Sequence, residues 1–203
     1  MQFTYAQVFL MVWIIAFWTY YFLTYGKVEE KHERSARKKF GINARWAAFF
    51  GLAFAGWTVV IFIFFFHYNF IEWGWKFHFI DMAWIKIFAM IIMCFAFLLN
   101  IFFTISVGKS IKAGLHSNET PKLVTSGIYG YIRHPGYLAF LAMSLGSFLI
   151  VPNLITVILL IYTWVVIYGH TLEEEQKLLK IYGEAYKNYQ SQVGRYVPKF
   201  GRK

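Results

Sequence analysis

Long apolar runs alternate with short hydrophilic stretches along this chain, and run length separates its segments. The first run, Phe3 to Tyr25, carries no charge and has the roughly 20 residues that an α-helix needs to cross a bilayer core. A hydrophilic loop, "GKVEEKHERSARKKFGINAR" from Gly26 to Arg45, follows it, and a second apolar run extends from Trp46 to Tyr68. The connection "NFIEWGWKFHFID" mixes tryptophans with isolated charges, as sequence at a membrane–water interface does. The third run goes from Ala83 to Val107, with Lys86 near enough to its start to snorkel. Two weaker runs, Tyr137 to Val151 and Leu154 to Gly169, are split by "VPN". Each amounts to about 23 Å of helix, which barely reaches across an apolar core, so the pair reads as a short hairpin.

After Gly169 the pattern becomes amphipathic and charged, "HTLEEEQKLLKIYGEAYKNYQSQVGRYVPKF". It predicts a helix to about Tyr182 and more helix beyond Gly183. The expected architecture is therefore all-α: a multispanning integral membrane protein of about five transmembrane helices, the last two a short hairpin, plus a C-terminal helical segment. We read residues 1–203 as one domain, with three apolar spans in 1–107 and the chemistry in 108–203. There is no internal repeat and no low-complexity tract.

Composition supports membrane residence. Of 203 residues, 59% are hydrophobic and 22% aromatic, more apolar surface than a soluble domain of that size can hide. The formal net charge of +10 is then no sign of nucleic acid, because Lys and Arg gather in cytoplasmic loops and set orientation. With the N-terminus outside, loop 26–45, loop 108–134 and the tail all face the cytoplasm, and all three are basic. Loops 69–82 and 151–153, on the other side, are not. The one cysteine, Cys94, lies in an apolar run, so neither a disulfide framework nor a Cys-based metal site is expected; no zinc spacing appears either, and no metal is expected. The first run lacks a basic leader and is too long for a cleavable signal peptide.

Against this background "KLVTSGIYGYIRHPGY", Lys122 to Tyr137, is out of place. Each of its residues has a structural explanation. Pro135 suits the first turn of a helix, Gly127 and Gly130 permit a turn, and Glu173, Glu174 and Glu175 suit a surface helix. Together they point further. If the hairpin goes down and returns, Arg133 and His134 meet the glutamate run at the cytoplasmic interface. Basic, acidic and aromatic groups then converge where water meets lipid. Such a place suits a polar zwitterionic cofactor meeting an apolar acceptor. S-adenosylmethionine fits, with a carboxylate for His or backbone donors, an ammonium for Glu, and a sulfonium for aromatic faces. Methyl transfer is an in-line displacement that positioning and charge complementarity accelerate.

The two-part signature, "KLVTSGIYGYIRHPGY" and then "LEEEQKLLKIYGEAYKNYQSQVGRYVP" after a hydrophobic hairpin, resembles the isoprenylcysteine carboxyl methyltransferase family. That family stands in a wider group of small integral membrane methyltransferases that includes phospholipid N-methyltransferases. The resemblance implies an S-adenosylmethionine site lined by Pro121, Lys122, Leu123, Val124 and Tyr129, then by His134, Pro135, Gly136 and Tyr137. It also implies a tail glutamate, Glu174, with Glu173 as the alternative one residue away, and with it a reaction centre of Arg133, His170 and Glu174. Where the family has an arginine four residues before that glutamate, this chain has His170. Arg offers a carboxylate a bidentate grip that His does not, so the acceptor ranges over prenylcysteine carboxylates, lipid amines and thiols. Two other functions compete: an NADPH-dependent sterol-type reductase, which shares an Arg-His-Pro stretch, and a non-catalytic protein binding lipid or a partner through loop 26–45.

Overall fold

A computed structural model describes residues 4–25, 44–67, 75–77, 80–115 and 123–199. The described residues form six α-helices and a short 3-10 turn: α1 Tyr5–Tyr25, α2 Ala44–Phe66, α3 Ala83–Leu115, the turn Gly127–Gly130, α4 Pro135–Ile150, α5 Leu154–Tyr182 and α6 Glu184–Gln192. Extended pairing among them is limited to two isolated bridges. Four helices, α1, α2, α3 and α5, are long and apolar enough to cross a membrane, and α4 is a shorter apolar helix. This is an integral membrane protein with several apolar helices.

The expected hairpin of two equal short arms is corrected. Its first arm, α4, has 16 residues, but the second, α5, runs unbroken for 29 and does not stop at Gly169. A glycine within a helix costs only about 1 kcal/mol relative to alanine. The change to polar sequence there alters which face is wet without breaking the backbone ladder. For the same reason α3 continues past Val107 to Leu115. At about 24 Å, α4 is a little short of the ~30 Å apolar core, as expected of a short arm, so four of the described helices have full spanning length. The basic loop lies outside the described residues from 26 to 43, as do residues 68–74 of the following connection.

The chain packs as two compact units, Met1–Phe95 with Ala142–Val166, and Ala96–Leu141 with Ile167–Lys203. In the first unit, Ala6, Leu10 and Ile14 of α1 meet Val60, Ile61 and Phe64 of α2, Ala89 and Met93 of α3, and Ile150. The spacings of four along α1, α2 and α3 are single helical ridges. Small residues let the backbones close. A Cβ on Gly146 would overlap Met93 Cγ and come within 3.1 Å of the Ala89 carbonyl oxygen.

Several polar groups in this unit find partners inside the protein, because lipid offers none. Gln7 Nε2 donates to the Phe64 and Phe65 carbonyls at 3.0 Å each, satisfying the end of α2. Trp57 Nε1 donates to Thr163 Oγ1 at 3.0 Å, and Trp164 Nε1 to Ser144 Oγ at 3.2 Å. At the start of α5, Thr156 N donates to Asn153 Oδ1 and Asn153 N to Thr156 Oγ1, at 3.0 and 3.1 Å. That reciprocal cap is why the chain re-enters a helix directly after "VPN". Beyond the helix ends, Asp81 lies between Lys76 and Lys86 at 2.7 and 2.5 Å. Burial works to raise the Asp81 carboxyl, but hydrogen bonds from both lysines outweigh it and hold the group below its ordinary value.

Candidate active site

The second unit contains the whole Arg-His-Pro signature and the glutamate run. Pro135 opens α4 at the position where a missing N–H costs nothing, and the His134 carbonyl accepts from Leu138 N at 3.0 Å. The backbone just before the helix is held by the C-terminal segment. Arg133 N donates to Gly194 O at 2.8 Å and His134 N to Arg195 O at 3.0 Å, around a parallel bridge between Ile132 and Gly194. Gly194 suits this crossing because a Cβ there would overlap the Val197 carbonyl oxygen. Under the segment, Tyr186, Tyr189 and Val193 form a small core with Leu123, Leu178 and Tyr182. Tyr189 donates from its hydroxyl to the Tyr129 carbonyl at 2.7 Å, and burial pushes its phenol up to about 12.

Glu175 is the hub. Its carboxylate accepts from Arg133 Nε and Nη2 at 3.0 and 2.8 Å. It also accepts from Arg195 Nε and Nη2 at 3.2 and 2.6 Å, and its Oε1 lies 3.2 Å from His134 Nε2. Arg133 Nη1 turns to the Gln190 carbonyl at 3.2 Å and to the Val193 carbonyl. The described contacts of Arg133 are thus with the protein's own acceptors, and its side chain is 8% exposed. The hydrogen bond with Glu175 holds the Arg195 guanidinium above its ordinary value.

Beside the hub is a second, looser group. His134 Nδ1 lies 3.7 Å from Glu174 Oε2, and His170 Nδ1 lies 4.0 Å from the same oxygen. The Tyr137 hydroxyl is 2.8 Å from His170 Nδ1. The Tyr137 ring stacks on His134, with centroids 5.5 Å apart and 15° between planes, and meets His170 edge-on at 85°. Glu174 Oε2 is buried yet accepts no hydrogen bond of ordinary geometry from the described residues, while the Tyr137 hydroxyl lies close enough to interact with the Glu174 carboxylate. Glu173 turns away to pair with Lys177 at 3.0 Å.

The expected site residues therefore divide. His134, Tyr137, His170 and Glu174 come together, while Arg133 engages Glu175. Leu123 packs on the tyrosine core, Val124 is half-buried, and Tyr129 contributes its carbonyl to Tyr189. Gly136 is tightly packed, since a Cβ there would come 2.8 Å from the Phe103 ring. Pro121 and Lys122 lie outside the described residues. Sequence reasoning missed Glu175, Arg195, Tyr196 and Thr171. For Glu175 and Thr171 there was a signal: Ile167, His170, Thr171 and Glu175 are all buried, and they continue the helical phase of the apolar run. Arg195 and Tyr196 carried no such signal.

The family model of the isoprenylcysteine carboxyl methyltransferase (ICMT) family matches residues 88–181. Among curated proteins, the protein-S-isoprenylcysteine O-methyltransferase of Schizosaccharomyces pombe is 32% identical over 82 residues, 40% of this chain and 35% of that protein. Those of Mus musculus and Homo sapiens are each 34% identical over 82 residues, 40% of this chain and 29% of each relative. The matches thus span about a third of those relatives' lengths. The solved structure of the eukaryotic intramembrane Ras methyltransferase ICMT superposes with a TM-score of 0.52 at 19% identity, covering 88% of this chain and 59% of that one. At that identity the likeness is one of fold. The chain therefore resembles the isoprenylcysteine carboxyl methyltransferase family, in sequence over residues 88–181 and in fold over most of its length.

Proposed function

We propose that this protein is an S-adenosylmethionine-dependent methyltransferase whose acceptor is an apolar or amphipathic molecule reaching the site from the membrane. The observation that carries the reading is the buried Glu174 Oε2, which accepts no hydrogen bond of ordinary geometry from the described residues while two imidazole nitrogens face it. A carboxylate flanked by two guanidinium groups only accepts, so Glu175 draws the His134 proton to Nε2. In that tautomer His134 turns a bare Nδ1 lone pair toward the Glu174 oxygen 3.7 Å away. Two acceptors facing each other suit a ligand group that is positive and carries several donors. The ammonium of S-adenosylmethionine is such a group, and Glu174 with His134 would hold it.

When bound, the cofactor supplies an electrophilic methyl on a sulfonium. This chain's residues bind and orient. Glu174 and His134 fix the polar end, and the Tyr137 face suits the positive sulfur. By the family resemblance Leu123, Val124 and Tyr129 would line the cofactor, as would Pro121 and Lys122, which lie outside the described residues. Arg133 is a positioning residue in this scheme, given its contacts with Glu175. His170, tied to the Tyr137 hydroxyl, stands on the acceptor side. The acceptor class includes the prenylcysteine that the relatives' names imply, as well as lipid amines and thiols.

The basic loops support a topology with α4 as a fifth, short crossing, the N-terminus outside, and the site and C-terminus on the cytoplasmic face. Residues 1–203 then serve as one catalytic domain. Differential scanning of detergent-solubilised protein tests the cofactor. S-adenosylhomocysteine is expected to raise the unfolding temperature and NADP to leave it unchanged. Stabilisation by NADP alone would replace this reading with the reductase one. Transfer of labelled methyl to a panel of prenylcysteines, lipid amines and thiols then identifies the acceptor.

A further inference from the structure

The C-terminal segment beyond α6 is more than a tail. Two backbone hydrogen bonds hold it to Arg133 and His134. The Tyr196 hydroxyl is 2.7 Å from Thr171 Oγ1, and its ring lies 6.2 Å from the His134 ring. Lys199 Nζ fastens its far end to the Gln190 and Ser191 carbonyls at 2.9 Å each. Arg195 reaches back to Glu175, with Nη2 2.6 Å from Oε2. Glu175 presents its other oxygen, Oε1, to Arg133 and to His134 Nε2.

We propose that Arg195 and Tyr196 are positioning residues of the cofactor site: by fixing the Glu175 carboxylate and flanking His134, the C-terminal segment sets the imidazole tautomer that turns Nδ1 toward Glu174. The inference rests on the methyltransferase reading for the identity of the ligand, but the tautomer itself is a property of the protein alone. Its physical basis is the rotation of one carboxylate. With Arg195 Nη2 on Oε2 and its Nε on Oε1, Glu175 cannot turn Oε1 away from His134. Without Arg195, Arg133 can take both oxygens in a bidentate pair, and Nε2 loses its acceptor. The proton is then free to move to Nδ1, where it meets Glu174 and competes with any incoming donor. The titratable groups facing His134 are Glu174, Glu175, Tyr137 and Tyr196. Arg133 and Arg195 act through Glu175, and His170 acts through Glu174.

The test is nitrogen NMR on full-length, detergent-solubilised protein labelled at histidine, with His134 assigned by His134→Gln, alongside titration with S-adenosylhomocysteine. Wild-type His134 is expected to hold a single Nε2–H tautomer near neutral pH before any ligand is added. Arg195→Met is expected to mix the tautomers and weaken S-adenosylhomocysteine roughly ten- to a hundredfold, and Arg195→Lys to restore most of both. Folded Arg195→Met protein with the wild-type tautomer and affinity would overturn the proposal. Should that variant not fold, the wild type still decides by reciprocity, because a segment that favours binding must be favoured by it. S-adenosylhomocysteine should then slow carboxypeptidase digestion through Tyr196 and Arg195. Binding without such protection overturns the proposal as well. A wild type that binds no S-adenosylhomocysteine defeats the methyltransferase reading, and the tautomer measurement then judges the segment on its own.

Discussion

Glu174 and Glu175 are neighbours in the sequence, and their removal should have opposite consequences. Glu175 has a side chain 6% exposed. It accepts from Arg133 at 2.8 Å and from Arg195 at 2.6 Å, with His134 Nε2 at 3.2 Å. Glu175→Gln keeps the shape but removes the charge that both guanidiniums share, and its amide presents donors to donors. Breaking a buried ion pair by removing one partner costs about 3–5 kcal/mol. At about 2–4 °C per kcal/mol for a chain of this size, the unfolding temperature should fall by roughly 6–20 °C. The lower part of that range is the better expectation, because the Arg195 side chain is 29% exposed and water screens it. Glu174→Gln removes a carboxylate that is 36% exposed and whose buried oxygen accepts no hydrogen bond of ordinary geometry from the described residues. Its stability should stay within about 0.5 kcal/mol of the wild type's, while S-adenosylhomocysteine affinity drops roughly ten- to a hundredfold. Scanning fluorimetry and calorimetric titration of both variants measure the two quantities separately. Equal phenotypes, or a Glu175→Gln protein as stable as wild type, would refute this division between a glutamate that builds the site and one that serves it.

Two further variants probe other parts of the molecule. The Tyr186 side chain is buried and its hydroxyl takes no hydrogen bond among the described residues. An unsatisfied buried polar group costs about 1–3 kcal/mol, so Tyr186→Phe should leave thermal stability unchanged or raise it. A clear loss would reveal a partner for the hydroxyl. Asp81 has a folded-state value below the ordinary one because Lys76 and Lys86 outweigh its burial. Its stabilising contribution is therefore complete above the ordinary aspartate value of about 3.9, and it is lost as pH falls through the lower folded-state value. Unfolding temperature should drop on acidification from pH 5 toward pH 3, and Asp81→Asn should be less stable at pH 5 with a flatter profile. Parallel profiles for the two proteins would show that other carboxylates govern the transition.

The apolar runs alone located α1, α2 and the start of α3. Tyr5–Tyr25, Ala44–Phe66 and the start of α3 at Ala83 follow the runs to within two residues, because a span in lipid must be both apolar and fully hydrogen-bonded within itself. The helix to Tyr182 and the further helix after Gly183 were legible too. Gly183 takes φ +55°, a conformation that glycine adopts easily, so its place between two helical patterns marks the turn. The meeting of the Arg-His-Pro stretch with the glutamate run was also legible, as two polar segments bracketing a hydrophobic hairpin. What the sequence left open was decided by side-chain direction. In "EEE" three identical residues are 100° apart on one helix, and only packing turns Glu173 toward Lys177, Glu174 toward two imidazoles, and Glu175 toward two arginines. The role of Arg195 was equally hidden. It reaches Glu175 from 20 residues away through a segment with no hydrophobic period, and that segment is held by backbone hydrogen bonds that any residue bearing a carbonyl could accept. Local pattern reports which residues leave water, and a contact between distant polar groups leaves no periodic trace, so only the tertiary structure assigns the glutamates their partners.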